Sequence, residues 1–206
     1  MAEKHFISNK NESVRMFKTD FMEMMSKTHW SVPIWIFAPV IAYLFYLTVS
    51  SSVNIWLSLL LIGLGIFVWT FVEYAMHRFV FHYEPKSKIG QKLHWIMHGV
   101  HHDYPQDAKR LVLPPSLSLP LATAFFLIFY SIIPIPALYP FFAAFLIGYL
   151  IYDIGHYAMH HFSFKSDLFK KVKLHHMKHH YVKPHEGYGV SSPLWDIIFR
   201  TRETDK

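Results

Sequence analysis

The sequence predicts an all-α integral membrane protein whose four transmembrane helices form two hairpins beneath a cytosolic helical cap. Its 206 residues are 52% hydrophobic and only 17% charged, whereas soluble domains carry about 25% charged residues. Residues 30–72 and residues 111–152 contain no Lys, Arg, Asp, Glu or His. Each stretch is too long for one span of roughly 20 residues and about right for two. The histidines are concentrated in the polar segments that follow these stretches.

The N-terminal segment, residues 1–29, is polar. Within it, residues 13–28 place Val14, Phe17, Phe21 and Met24 on one face of a helix. This spacing predicts an amphipathic helix that lies on the membrane surface. Packing of the same face against the cytosolic cap is an equally good interpretation.

The two uncharged stretches define the spans. The first is interrupted at residues 50–54 and the second at residues 134–136, which places spans near 33–49, 55–72, 116–133 and 137–154. Backbone in lipid must satisfy its own hydrogen bonds, so the spans are helices. Buried hairpins of a soluble protein would show a polar stripe, and these have none. The order hairpin, histidines, hairpin, histidines indicates a single domain over residues 1–206.

Charge placement predicts the orientation. Both hairpin tips are uncharged, so all 20 Lys and Arg lie on one side, which the positive-inside rule assigns to the cytosol. The net charge of +6 then reflects topology and attraction to anionic lipid. No basic run predicts nucleic-acid binding, and no cleavable signal peptide is expected. The membrane would be the endoplasmic reticulum in a eukaryote and the inner membrane in a bacterium.

Four histidine motifs carry the chemistry. Fourteen of the 16 histidines fall within residues 77–102 and 156–185. The motifs are His77 with His82, His98 with His101 and His102, His156 with His160, and His176 with His179 and His180. Residues three and four apart share a helix face, so three of the four motifs are expected to aim their imidazoles at one point.

Ten such ligands predict two metal ions. A zinc site uses three or four protein ligands, and five histidines for each of two ions fit the count. Imidazole suits zinc, copper, iron and nickel, and the residues alone do not choose among them. The chain has no cysteine, which excludes thiolate ligands and iron–sulfur clusters.

The remaining histidines leave alternatives open. His94 shares the face of His98, so geometry makes it a rival ligand. His161 and His175 point about 100° away from the faces of their neighbours, His185 follows a proline, and His5 and His29 lie outside the clusters. Four acids, Glu73, Asp103, Asp153 and Glu186, flank the motifs. Ligand histidines often donate their second N–H to a carboxylate, and Glu73 and Asp153 are the best placed to accept it.

Several segments together resemble the fatty acid 2-hydroxylase family, within the fatty acid hydroxylase and sterol desaturase superfamily. The matching segments are residues 73–82, 94–102, 110–115, 152–156, 176–180, 187–192 and 194–196. The resemblance covers nearly the whole chain and implies a non-haem di-metal centre that uses O₂ to hydroxylate carbon 2 of a fatty acyl chain, usually in a sphingolipid. It implies that the metal ligands are His77, His82, His98, His101, His102, His156, His160, His176, His179 and His180, and that His94 and His161 are not ligands. Residues 110–115 and 187–192, which bind no metal, are expected to shape the lipid pocket.

The resemblance also implies the cofactors and partners. Inserting one oxygen atom needs two electrons and a redox-active metal; zinc cannot cycle, so the working metal is expected to be iron, even if purified protein holds zinc. No His-Pro-Gly-Gly motif of a cytochrome b5 domain is present, so we expect a separate electron donor, such as cytochrome b5 with a reductase. The resemblance implies that the substrate is a ceramide or another fatty acyl lipid. His77 follows Val72 by only about 7 Å along a helix, which favours a reacting carbon near the head group.

Two rival functions remain. Sterol or carotenoid hydroxylation or desaturation uses the same histidine pattern and would be separated by a lipid profile. A metal transporter or a structural metal-binding membrane protein is disfavoured, because a transport path needs ionisable groups within the spans and residues 30–72 and 111–152 contain none.

Overall fold

The computed structural model describes residues 6–202, and its regular structure there is entirely helical. The α-helices are α1 Asp20–Met25, α2 Val32–Ser50, α3 Ile55–Met76, α4 Lys88–His94, α5 Val100–Asp103, α6 Pro115–Tyr130, α7 Leu138–His161, α8 Asp167–Tyr181 and α9 Leu194–Ile198. Two π-helical segments, His77–Phe81 and Trp95–Gly99, continue α3 and α4. The predicted all-α class is confirmed for these residues.

Three continuous helices are long and apolar enough to cross a membrane: Val32–Ser50, Ile55–Phe81 and Leu138–His161. Large apolar side chains on them are exposed, such as Trp35 at 77% and Leu60 at 67%, as expected for a lipid-facing surface. The remaining expected span, the third in chain order, corresponds to α6, which has 16 residues. At 1.5 Å per residue it measures about 24 Å, shorter than the roughly 30 Å hydrocarbon core.

Helix α7 is the centre of the bundle. Its residues Leu138 to Leu146 are almost all buried, and it packs against α2, α3 and α6. Glycine permits the closest approach to α3, since a Cβ on Gly65 would overlap the carbonyl oxygen of Phe141. On the other side, Gly148 lies against the indole of Trp69. Helices α3 and α7 therefore form a rigid pair beneath the histidines.

Both helices extend further than hydropathy predicts. The sequence predicts that these helices end near residues 72 and 154, because the first charged residues of the following segments are Glu73 and Asp153. Both acids are buried, at 4% and 1% exposure, so the helices do not end where charge begins. Helix α3 continues through the π segment to residue 81 and α7 continues to His161. Four of the predicted ligands are therefore carried by, or directly follow, membrane helices.

The predicted helix over residues 13–28 is wrong in extent, because only Asp20–Met25 is helical. The carboxylate of Glu23 accepts hydrogen bonds from the backbone N–H groups of Met16 and Phe17 at 2.9 and 3.1 Å. These bonds hold the preceding backbone against the helix in a non-helical conformation. Val14 and Phe17 consequently lie outside the helix whose apolar face they were expected to complete.

Candidate metal centre

The ten predicted ligand histidines form two compact groups of five. We name them the outer set and the inner set, and the ring nitrogens within each set lie within 4.8 Å of one another. The outer set is His77, His82, His98, His102 and His179, and the inner set is His101, His156, His160, His176 and His180. All five members of the inner set are buried, whereas His82 and His102 of the outer set are partly exposed.

The π-helical segment explains the unusual spacing of His77 and His82. The backbone N–H of His82 donates to the carbonyl of His77 at 3.0 Å, which is the i to i+5 hydrogen bond of a π turn. The wider turn brings residues five apart onto one face. As a result, the Nε2 atoms of the two rings lie 3.2 Å apart.

The two histidine triplets divide between the sets, which corrects the expectation that each aims at one point. His98 and His102 belong to the outer set, but His101 belongs to the inner set. Likewise, α8 sends His176 and His180 to the inner set and His179 to the outer set. Within each triplet, only the two histidines four positions apart share a set. The third histidine, three positions after the first, points towards the other set. The expectation holds for His156 and His160, which are both in the inner set.

The nitrogen atoms within each set converge closely. In the outer set, Nε2 of His98 lies 3.1 Å from that of His77 and 3.0 Å from that of His102. In the inner set, Nε2 of His160 and of His176 are 2.9 Å apart. Nε2 of His101, Nε2 of His156 and both ring nitrogens of His180 are buried without a hydrogen-bond partner. Buried polar atoms normally have partners, and a cation coordinated by these lone pairs would satisfy them.

Electrostatics favours the neutral imidazoles that bind metal. Burial, and then repulsion between neighbouring rings, lowers the pKa of six histidines of the cap well below its ordinary value; these are His98, His101, His102, His176, His179 and His180. Burial lowers the pKa of His82 as well. Neutral rings keep a free lone pair, and metal ligation requires it. The residues therefore fit two metal ions by geometry and by protonation.

Backbone carbonyls, rather than acids, orient two rings of the outer set. Nδ1 of His77 lies 2.5 Å from the carbonyl of Tyr188, and Nδ1 of His179 lies 2.8 Å from that of Glu186. The carboxylate of Asp196 fixes this segment by accepting from the backbone N–H groups of Tyr188 and Gly189 at 2.9 and 2.7 Å. Asp196 is fully buried, and its spacing from the histidines gave no sign of this role.

Glu73 and Asp153 do not hydrogen-bond to histidine, contrary to expectation. Glu73 accepts from the backbone N–H groups of Val190 and Ser191, both at 2.7 Å. Asp153 accepts from the backbone N–H of Leu113 at 3.1 Å and from the hydroxyl of Tyr149 at 3.0 Å. Each acid thus attaches a loop of the cap to a membrane helix.

The remaining histidines and acids lie outside both sets. His94, His161, His175 and His185 belong to neither set, and His29 is exposed on the N-terminal segment; His5 lies outside the described residues. Asp103 accepts from the indole N–H of Trp95 at 2.7 Å, and the carboxylate of Glu186 pairs with Lys183 at 3.2 Å. His94, which helix geometry left open as a rival ligand, therefore lies outside the outer set.

A large apolar cavity leads from the metal centre into the membrane half of the protein. It measures about 410 Å³ and reaches the outer set through His98 and the inner set through His101 and His156. Residues 110–114 line it, as expected, but residues 187–192 do not; that segment instead holds Glu73 and His77. The far end lies between α6 and α7, at Phe125 and Phe145.

One wall of the cavity is formed by the N-terminal segment. Met16, Phe17, Phe21, Met22 and Met25 line it. The guanidinium of Arg110 fixes the segment. Its Nη2 atom lies 2.5 Å from Oε1 of Glu23, and its Nη1 atom lies 3.1 Å from Oδ2 of Asp107. Glu23 also pairs with Lys27 at 2.6 Å. The segment therefore lines the cavity, while Phe21 and Met24 remain 68% and 62% exposed; its position on the membrane surface stays a prediction.

Comparisons with known proteins agree with this architecture. Residues 62–201 match the fatty acid hydroxylase family model. The chain is 37% identical to dihydroceramide fatty acyl 2-hydroxylase FAH1 of Arabidopsis thaliana, over 95% of this chain and 82% of that one. It is 40% identical to the fatty acid 2-hydroxylase of Mus musculus, over 91% of this chain and 56% of that one. A solved structure of full-length scs7p, in which only the hydroxylase domain is visible, superposes with a TM-score of 0.85 at 36% identity, covering 91% of this chain and 72% of that one.

Proposed function

This chain belongs to the fatty acid hydroxylase family, and from that premise we propose that it hydroxylates carbon 2 of a fatty acyl chain, in the N-acyl chain of a ceramide-type lipid, at a non-haem di-iron centre. The relatives are named for this reaction on dihydroceramide and on fatty acids. One observation carries the proposal: a single apolar cavity joins both histidine sets to the membrane-facing helices. A lipid chain can therefore reach the metals without leaving an apolar environment.

The charges along the cavity support a substrate without a net charge near the reacting carbon. Arg110 is the one Lys or Arg among the described lining residues, and its guanidinium is already paired with Glu23 and Asp107. A free fatty acid would bring a carboxylate that no unpaired Lys or Arg side chain of the described cavity receives, and burying a charge without a partner is costly. An amide-linked acyl chain carries no charge at this position, so the cavity favours an N-acyl lipid.

The ten histidines are the proposed ligands, five for each ion. Iron bound there would supply the redox chemistry that activates O₂, which zinc cannot do because it does not change oxidation state, although zinc can occupy the same ligands in purified protein. The overall balance is one C–H bond, O₂, two electrons and two protons giving one C–OH bond and water. The electrons come from a separate protein such as cytochrome b5 with its reductase. The chain's own residues hold the ions, shield the reacting carbon from bulk water and position the acyl chain.

The proposed topology has four spans in two hairpins, with both termini and the metal centre on the cytosolic face of the endoplasmic reticulum or of a bacterial inner membrane. Helix α6 makes the third crossing together with residues 131–137, which extend its 16 residues towards α7. The uncharged tips and the placement of every Lys and Arg on one side support this orientation. The chain forms one domain over residues 1–206, with the cap resting on α3 and α7.

The function is tested by expressing the chain in a host that lacks 2-hydroxy lipids and profiling the lipids under ¹⁸O₂. The expected product is a ceramide with one labelled oxygen at carbon 2, absent from a matched culture that expresses the His156→Ala variant. Purified iron-loaded protein should turn over only after a reductase and its cytochrome are added. Oxidation of a sterol or carotenoid ring, or a new double bond, would overturn the assignment.

The topology is tested with single small tags. Tags inserted at residues 52 and 135 should be inaccessible from the cytosol, and a tag at the C-terminus should be accessible there. The C-terminal tag acts as the control for exposure and labelling. Labelling of either hairpin tip from the cytosolic side would contradict the four-span arrangement.

A further inference from the structure

Two openings reach the histidine sets from opposite sides. The first is the large apolar cavity, which meets His98, His101 and His156. The second is a smaller cleft of about 180 Å³ on the side of the cap, which we name the outer cleft. Its lining residues are His82, Glu84, His94, His98, Gly99, His102, Pro184 and His185.

The apolar cavity is a poor route for a metal ion. A hydrated divalent cation would have to shed water against methionine, leucine and phenylalanine side chains, and uncompensated burial of a charge costs several kcal/mol or more. The outer cleft offers the opposite surroundings. With roughly 30 Å³ per water in the liquid, it holds several waters, so a partly hydrated ion fits.

The outer cleft contains three metal-binding side chains that belong to neither set: His94, His185 and Glu84. His185 and Glu84 are 71% and 75% exposed, and their Nε2 and Oε1 atoms lie 3.9 Å apart. His94 is half-buried, at the end of α4. Two imidazoles and one carboxylate form a donor set that suits transition metals. Their donor atoms do not converge as those of the two sets do, and none of the three residues belongs to a converging group in the described part of the chain.

The partly exposed members of the outer set face the same cleft. His82 and His102 line it together with His94 and His185, and both are less buried than the rest of their set. The donors at the mouth of the cleft and the ligands at its floor thus form a continuous path for an ion.

We propose that His94, His185 and Glu84 form a metal-acquisition site, which captures a hydrated divalent cation at the mouth of the outer cleft and transfers it to the outer set through His82 and His102. The assignment rests on the proposed metal centre and adds a route by which that centre is loaded. The three side chains make no ligand bond in the final state, so they affect the rate of loading and not the affinity of the finished site.

The difference in burial between the two sets determines the order in which they take up metal ions. Every member of the inner set is buried, and the described outer cleft contacts no inner-set residue. The rings of His102 and His180 are stacked with centroids 4.3 Å apart, which makes them the boundary between the sets. The outer set therefore exchanges its ion quickly through the cleft, and the inner set exchanges slowly.

The experiment follows Co²⁺ uptake by the full chain, purified in detergent and stripped of metal with a chelator. Stopped-flow absorption should resolve two uptake phases with a final stoichiometry of two Co²⁺. In the triple variant His94→Ala, Glu84→Gln, His185→Ala, the fast phase should slow by roughly 10-fold or more, with the final spectrum and stoichiometry unchanged. The control variant His29→Ala, Glu12→Gln removes an exposed imidazole and an exposed acid elsewhere and should leave both phases unaltered.

Each other result overturns the assignment in a recognisable way. An unchanged fast phase in the triple variant means that the three residues do not load the site. A loss of one bound Co²⁺ at equilibrium means that they are ligands and not carriers. Normal loading combined with slow electron transfer from a reductase assigns the cleft to the redox partner instead. Failure of the parent protein to bind any Co²⁺ would refute the metal centre itself, whereas normal binding without lipid hydroxylation would refute only the proposed reaction.

Discussion

The position of each histidine on its helix determines the set to which it belongs. His101 lies between two outer-set ligands in sequence and yet belongs to the inner set, because residues three and four apart lie on slightly different parts of a helix face. The same division recurs on α8, where His179 separates from His176 and His180. Helices α5 and α8 thereby each contribute histidines to both sets.

The most direct test of this assignment is the His180→Ala variant. His180 is 1% exposed, and neither of its ring nitrogens has a hydrogen-bond partner, so its lone pair is free to bind a metal ion. We expect a loss of roughly 10-fold or more in affinity at the inner set, since even losses of outer-shell partners reach that size. Elemental analysis and zinc titration would measure it, with the exposed His29→Ala as the control. Equal metal content and affinity in both variants would contradict the ligand assignment.

Among the elements, the pair formed by α3 and α7 supports the whole centre, because the first continues to His82 and the second carries His156 and His160. Their separation depends on Gly65, where an added methyl group would overlap the carbonyl of Phe141. Backbone atoms cannot move aside as a flexible side chain can. A change in the distance between α3 and α7 would therefore change the spacing of the histidines that they carry.

We expect Gly65→Ala to lower the free energy of unfolding by about 1–3 kcal/mol, the usual cost of overpacking, and to reduce metal content. Gly63→Ala on the same helix is the matched control, since nothing lies within 4 Å of its added Cβ, and it should be neutral or slightly stabilising. Thermal denaturation in detergent would compare the two variants. Equal melting temperatures would mean that α3 and α7 can separate without cost.

The N-terminal segment is the second element with a testable role. Glu23 connects it to Arg110 and to its own backbone at Met16 and Phe17. The hydrogen bond from Lys27, the two backbone N–H groups and the Arg110 charge lower the pKa of Glu23 to about 2, although burial opposes this shift. The carboxylate is therefore charged at neutral pH and holds the cavity wall in place.

Glu23→Gln should leave Arg110 paired only with Asp107 and loosen residues 13–27. We expect faster hydrogen exchange there and weaker binding of the lipid substrate, with a loss of about 1–3 kcal/mol, as for a buried polar group deprived of its partner. The control is Asp20→Asn, whose ion pair with Arg15 is largely exposed and worth little. Exchange that is unchanged in the Glu23→Gln variant would show that the wall is held by its apolar contacts alone.

At the scale of the whole molecule, the histidine cap makes folding sensitive to acid. Its buried imidazoles have a lowered pKa in the folded chain, compared with 6.5 for a free histidine. Below that value the unfolded chain binds more protons than the folded chain, so the free energy of unfolding decreases as the pH falls. Each buried histidine contributes about 1.4 kcal/mol per pH unit across the window from 6.5 down to its own lowered pKa.

Metal-free protein should therefore melt at progressively lower temperature from pH 7 to pH 5, while the melting temperature changes little from pH 7 to pH 8. Bound metal should be released over the same acidic range, because protons compete with it for the imidazoles. Calorimetry at several pH values, with and without zinc, would measure both effects. A melting temperature that stays constant down to pH 5 would mean that the cap histidines are not buried as neutral rings.

The sequence by itself determined the membrane class, the approximate helices and the ten converging histidines. Long uncharged stretches can lie only in lipid or in a core, and histidines at helical spacing on neighbouring elements have little other use. It did not determine the helix ends, since hydropathy cannot tell that Glu73 and Asp153 are buried and bound to distant backbone. The spacing of apolar residues also predicted too long a helix at the N-terminus. The side chain of Glu23 binds the backbone N–H groups of Met16 and Phe17 and holds these residues outside the helix.

Only the tertiary structure decided how the histidines divide between two sets, because helix periodicity is too coarse to separate residues three and four apart when both sides of the stripe carry a ligand. It also decided that carbonyls of Tyr188 and Glu186 orient His77 and His179, since backbone acceptors leave no pattern in the sequence. The cavity that joins lipid to both sets arises from the packing of α3, α6, α7 and the N-terminal segment. Long-range contacts between these elements create it, and no local pattern in the chain encodes them.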